Sequence, residues 1–280
     1  MKYATYIRQI EIDALWSGKK HILWTLDPHV NILSGINGVG KSTIINKVFR
    51  SINTNGDIIN HLLKGVRITA EPEDATHVRF DIIPTPIPSR AGGVSEYFQA
   101  PELTMLPSRS GGDGGGLLLD LQLYHLQRKY LDYQVNIGNR IISELQAGKA
   151  DAAQQLSQAK TRFQDIVDDL FAETGKKIIR TENEIRFSQI GETLVPYQLS
   201  SGEKQILAIL LTVLVEDQQP YVLFMDEPEI SLHIEWQKCL IDLILELNPN
   251  VQIILTTHSP AVIMNGWIDK VTEVSDITYD

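Results

Sequence analysis

Cysteine is nearly absent from this 280-residue sequence: Cys239 stands alone. One cysteine excludes an internal disulfide and offers no zinc cluster. It falls in a helical pattern, where a buried thiol is expected. Long apolar runs are also missing. No stretch approaches the ~20 residues that a membrane span needs, and Met1-Lys2-Tyr3-Ala4-Thr5 lacks the apolar core of a signal peptide. Positive charge is in deficit, with 25 Lys+Arg against 35 Asp+Glu and a net charge of −10. That balance argues against an overall basic, nonspecific nucleic-acid binder. It leaves room for a local basic groove at Lys19-Lys20, Arg128-Lys129, or Lys176-Lys177 with Arg180. Solvated surface charge is the commoner meaning of each. These absences lead us to expect a cytoplasmic protein without membrane association. Hydrophobic residues make up 43%, enough for an ordinary core.

The pattern along the chain predicts an α/β fold. Strands are expected at Tyr6–Leu15, His21–Leu26 and Val30–Leu33, then a helix over Ser42–Ile52 with Ile44, Ile45, Val48, Phe49 and Ile52 at helical spacing. Val66–Ala70 and His77–Ile83 read as strands. Residues 84–116 are rich in Pro, Ser and Gly and read as a long mobile connection. From Leu117 to about Leu145, and again from Asp151 to Phe171, the pattern is helical, with a turn around Gly148. At 1.5 Å per residue the first of these helices would be ~45 Å long. Their apolar residues are too dense for a lone exposed arm, so this hairpin is expected to fold down or to hold a partner.

Lys177–Thr181 and Glu184–Ser188 predict a two-stranded hairpin turning at Glu182-Asn183. Beyond Leu199 helix and strand alternate: helix Gly202–Glu216, strand Tyr221–Met225, helix His233–Leu247, strand Val251–Thr256, helix Pro260–Asn265, strand Lys270–Val274. Such alternation implies parallel pairing. Residues 1–83 and 176–280 are expected to form one discontinuous domain, joined through the 84–116 connection to a hairpin insertion at 117–175.

Four short motifs stand in one order. Gly35-Ile36-Asn37-Gly38-Val39-Gly40-Lys41-Ser42 fits G-x-x-x-x-G-K-[ST] between a strand and a helix, the context that gives the pattern its meaning. Leu199-Ser200-Ser201-Gly202-Glu203 follows, then the apolar strand ending in Asp226-Glu227, then His258 after Thr256-Thr257. Taken singly, the later three have plainer readings: a serine-capped helix start, surface acids at a strand end, and a histidine after a strand. All four in this order resemble the ATPase head of the ABC superfamily. The Asp-Glu-Pro-Glu and Ser-Leu-His variants at 226–233 resemble its SMC-, RecF- and OLD-type branch, which works in DNA repair and defence.

The resemblance implies an ATP- and Mg²⁺-dependent ATPase. Its nucleotide-binding set is Gly35, Asn37, Gly38, Gly40, Lys41, Ser42 and Thr43, with Ser200, Ser201, Gly202 and Glu203 supplied in trans by a second subunit. Lys41 would bridge the terminal phosphates, Ser42 and Asp226 would hold Mg²⁺, Glu227 would orient or deprotonate the attacking water, and His258 would sense the γ-phosphate. A homodimer or higher homo-oligomer through the ATP sites is therefore expected. The family's Mg²⁺-binding glutamine has only Gln99 and Gln122 as candidates, and its adenine-stacking aromatic is not evident, since Trp16 and Trp24 read more simply as core or edge residues. OLD-type proteins often continue into a Toprim nuclease domain, for which the 22 residues after His258 do not suffice. A separate effector, nuclease or toxin, is expected, or else nucleic acid as the object of the cycle. The alternatives are the nucleotide-binding subunit of a transporter, and a scaffold that binds ATP and hydrolyses it slowly.

Overall fold

The computed structural model describes residues 1–16, 18–52, 56–58, 65–83 and 114–279. The expected connection, as far as residue 113, and Gln99 lie outside these. The elements are β1 (Tyr6–Leu15), β2 (Lys20–Thr25), β3 (Val30–Ser34), α1 (Lys41–Ser51), β4 (Val66–Glu71), β5 (Phe80–Ile83), α2 (Gly114–Gln146), α3 (Ala150–Leu170), β6 (Lys177–Ile178), β7 (Phe187–Gln189) and β8 (Glu192–Leu194). Then come α4 (Ser201–Val215), β9 (Tyr221–Asp226), α5 (Ile234–Leu247), β10 (Val251–Thr256), α6 (Pro260–Met264), β11 (Val271–Glu273) and β12 (Thr278–Tyr279). The chain divides into two compact units: Met1–Thr85, Gln218–Ile230 and Gln237–Asp280 in the first, Pro86–Asp217 and Ser231–Trp236 in the second.

The first unit holds two sheets. One is parallel, in the order β11-β3-β10-β9-β5, and the other antiparallel, in the order β12-β2-β1-β4. Strands β9 and β10 are buried at every residue, as the near-continuous apolar runs of an interior parallel sheet require. In β1 the pairing register with β4 shifts between Ile7 and Gln9, and that with β2 between Ile12 and Leu15. Each shift resets the alternation of faces, so Ile7, Ile10, Ile12 and Leu15 all face inward. They join Ile44, Ile45 and Val48 of α1 and Val222, Phe224 and Ile254 of the parallel sheet in one core. Gln252, fully buried in β10, satisfies the shifted backbone: Ile7 N–H donates to its Oε1, and its Nε2 donates to the carbonyls of Ile7 and Asp27, all at 2.8 Å.

In the second unit α2 and α3 form an antiparallel pair turning at Gly148, and both pack on α4. The 33 residues of α2 make a helix about 50 Å long. Leu121, Leu123, Leu126 and Tyr130 of α2 and Phe163, Ile166 and Val167 of α3 are buried. The hairpin therefore folds down, the first of the two expectations above. Lys204 of α4 pairs with Asp120 of α2 at 2.5 Å, both out of solvent. The predicted two-stranded hairpin is instead a three-stranded sheet, β6-β7-β8, whose last strand follows a turn at Ile190-Gly191, both at positive φ. Cys239 is half-buried and not the enclosed thiol expected.

Candidate functional site

Parallel pairing aligns the strand ends that carry the first, third and fourth motifs. Thr256 of β10 lies opposite Leu33 of β3 on one side and Asp226 of β9 on the other. The glycine loop, Glu227 and His258 therefore leave the sheet at one edge, where open α/β sheets bind ligands. Gly35, Gly38 and Gly40 have φ of 146°, 81° and 102°, which side chains resist. At Gly40, moreover, a Cβ would fall into the ring of Trp16. Helix α1 starts directly after this left-handed Gly40, with no side-chain cap and no acid in its first turn. Its N-terminal partial charge, and the amides of Lys41, Ser42 and Thr43, are left for an anion.

Lys41 is buried. Its Nζ donates to the carbonyls of Gly35 at 2.9 Å and Ile36 at 3.3 Å and lies 2.6 Å from His258 Nε2. Burial holds this ammonium below its ordinary 10.5, against the pull of Glu227, Asp226 and Glu229. His258 Nε2 is 3.2 Å from Glu227 Oε1. Ser42 Oγ donates to Asp226 Oδ1 at 2.8 Å, and Thr256 Oγ1 donates to the same oxygen at 2.6 Å. Glu227 takes a φ of 48°, rare outside glycine, and its N–H reaches both Thr256 O and Thr256 Oγ1 at 3.1 Å. Thus Lys41, Ser42, Asp226, Glu227 and His258, far apart in sequence, meet in one cluster.

The second motif lies in the other unit and opens α4. Ser200 caps the helix: its Oγ accepts from Glu203 N–H at 3.4 Å, while Glu203 Oε2 accepts from Ser200 N–H and Oγ at 2.9 Å. Glu203 Oε1 also takes Lys176 Nζ at 2.8 Å and Thr174 Oγ1 at 3.0 Å. Burial alone would raise the Glu203 carboxyl, but these donors outweigh it and hold the group below its ordinary 4.5. A Cβ at Gly202 would overlap the carbonyl oxygen of Ser231, so only glycine fits there.

Several expected basic-groove residues are committed elsewhere. Lys176 is held by Glu203, Arg180 bridges Asp165 and Asp168, Arg128 bonds Tyr124, and Lys129 lies 3.9 Å from Glu216. Gln122 is half-buried on α2. Sequence reasoning missed Thr256 and Thr257, whose signal was only their place at the end of β10, just before His258.

A family profile described as "AAA domain, putative AbiEii toxin, Type IV TA system" matches residues 122–265, just over half of the chain. The chain belongs to this family. The AbiEii-type AAA match runs from α2 past α6, so it contains Ser200–Glu203, Asp226, Glu227 and His258, and it begins after Lys41. A curated relative, the "Retron Vc95 probable ATPase" of Vibrio cholerae, is 26% identical over 115 residues, 37% of this chain and 22% of its own length. The "Septu protein PtuA" of Bacillus thuringiensis is 31% identical over 115 residues, 32% of this chain and 29% of its own. The chain thus spans less than a third of either relative.

Among solved structures, an Smc head bound to the C-winged helix domain of ScpA matches with a TM-score of 0.50 at 15% identity, over 93% of this chain and 91% of that one. An Smc head with an extended coiled coil, bound to the C-terminal domain of ScpA derived from Pyrococcus furiosus, matches with a TM-score of 0.52 at 14% identity and the same coverage. The fold is that of a P-loop ATPase head. Among the described residues, no helix is long and apolar enough to cross a membrane.

Proposed function

We propose that this AbiEii-type AAA protein binds and hydrolyses ATP with Mg²⁺. The observation that carries the reading is the cluster at one sheet edge. A buried lysine sits at a helix N-terminus, a hydroxyl and a carboxylate 2.8 Å apart lie beside it, and a second carboxylate and a histidine stand within reach. Lys41 and the α1 amides bind the β- and γ-phosphates. The Ser42 hydroxyl and the Asp226 carboxylate are hard oxygen donors that fit Mg²⁺ directly or through water. The ion, when bound, neutralises charge on the phosphate oxygens. Glu227 orients the attacking water or accepts its proton, and His258 sits where it can read the γ-phosphate beside Lys41. The exposed ring of Trp16, against Gly40, is suited to stack on the base.

Ser200 and the N–H of Gly202 complete the site of a second copy, so ATP drives homodimerisation or higher assembly. The cycle acts on a separate effector, a nuclease or toxin, or on nucleic acid, in defence or DNA repair. The names of the family and of the retron and Septu relatives support the defence setting.

Replacing Glu227 by Gln keeps its size and removes the base. Turnover should fall on the order of 10²–10⁴-fold while ATP binding survives. Steady-state hydrolysis and nucleotide-binding titrations measure both, and parental turnover in Glu227→Gln would refute the assignment of the water-orienting residue.

A further inference from the structure

Nothing in the hydrolysis reading uses Glu229, yet it is buried to 8% exposure three residues past Asp226. One of its oxygens carries two bonds. Oε1 accepts from Thr257 Oγ1 at 2.5 Å and from the backbone N–H of His258 at 3.0 Å. Thr257 Oγ1 in turn accepts from Ser259 N–H at 2.9 Å. Gln237 grips the same segment, its Nε2 donating to the Glu229 carbonyl at 3.4 Å and its Oε1 accepting from Ser259 Oγ at 2.6 Å. The other oxygen, Oε2, is buried with no hydrogen-bond partner among the described residues. The side-chain bonds of Glu229 thus go to the three-residue segment 257–259 and to nothing else that is described.

That segment carries the histidine. Two torsions separate the imidazole from its backbone, so fixing the His258 N–H fixes most of where the ring can reach. The ring lies 2.6 Å from Lys41 Nζ and 3.2 Å from Glu227 Oε1. A displacement of about 1 Å at such a contact is enough to cost a reaction on the order of 10²-fold. We infer that Glu229 is a positioning residue for hydrolysis: it holds His258 against Lys41 and Glu227 and acts on turnover through that histidine. This rests on the ATPase reading above. The chemistry required of residue 229 is an acceptor oxygen in the right place, which an amide supplies as well as a carboxylate.

The test uses the full chain and two readouts. The first is steady-state ATP hydrolysis for the parent, Glu229→Ala, Glu229→Gln, His258→Ala and the double variant Glu229→Ala/His258→Ala. The second is amide hydrogen exchange over residues 256–259. We expect Glu229→Ala to lower kcat by roughly 10- to 100-fold with KM for ATP within about threefold. The double variant should be no slower than the worse single variant within about twofold, because both remove one function. Glu229→Gln should stay within about threefold of the parent. Exchange at the His258 amide should speed up in Glu229→Ala and not in Glu229→Gln. Where the alanine chain does not fold, Glu229→Met fills the same space without an acceptor.

A double variant slowed by the product of the two single effects would overturn the proposal. So would unchanged exchange in Glu229→Ala, or parental turnover in His258→Ala. A parent chain that binds ATP without turning it over would instead overturn the ATPase reading itself, so the two failures are told apart.

Discussion

Glu203 shows how one residue serves two structures at once. It closes the cap of α4 with Ser200 and receives Lys176 and Thr174 from the segment after α3. Its folded-state pKa lies below the ordinary 4.5. The ionised form is therefore preferred by the folded chain, and the stability this contributes is present above that ordinary value. It is lost as pH falls from about 4.5 through the depressed folded value. Lys176→Met leaves the buried carboxylate without its cation and should cost roughly 3 kcal/mol at neutral pH. The gap between parent and variant should close in acid as Glu203 becomes protonated. Urea unfolding of both chains between pH 7 and pH 3 measures this, and a gap independent of pH would show that the pairing is not what holds Glu203.

At the scale of elements, the hairpin of α2 and α3 carries the strongest consequence. Helix α4 is buried from Gly202 to Leu214, and both hairpin helices pack on it. Replacing residues 117–171 with a short Gly/Ser linker would bare the face of α4 that the two helices cover, and would leave Lys204 without Asp120. We expect an aggregated product, since so large an exposed apolar face does not persist on a monomer. Size-exclusion chromatography with circular dichroism decides it, and a monodisperse, helical deletion variant would show that α4 does not depend on the hairpin.

The same elements show how much was legible in the sequence. Strands β3, β9 and β10 were legible as mostly apolar runs, and their ends carried the motifs, so the residues that meet in the candidate site could be picked out in advance. The strand β8 is three residues long in a polar context and has no period to read. Thr256, Thr257 and the grip of Glu229 depend on the parallel register between β9 and β10, which no local pattern encodes. The fate of Lys176 and Arg180 was equally hidden, because their acidic partners lie elsewhere in the chain.

For the whole molecule, the proposed sharing of each ATP site between two copies makes a quantitative claim. Lys41→Ala removes the phosphate half of a site, and Ser200→Arg the half that closes it. Each variant alone should be inactive. In an equal mixture half of the dimers are mixed, and each of those keeps one site with both halves intact. About a quarter of the parental activity should return if sites act independently and the dimer is two-fold symmetric. Hydrolysis assays on mixed samples, with mixed dimers verified by differential tags, read this out. Silent mixtures that contain verified mixed dimers would exclude the shared site.

The order of strands in the parallel sheet also has a bearing on how the protein comes into being. The strand that leads into the phosphate loop, β3, is fully formed by residue 34, yet its two ladder neighbours are β10 and β11, which span residues 251–273. A chain emerging from the ribosome therefore carries its phosphate loop for more than 200 residues before any neighbouring strand exists to hold it. Pairings so distant in sequence close late and slowly. Synthesis itself thus acts as a timer, and unfinished chains lack the sheet that supports the candidate site until residues 251–273 are made.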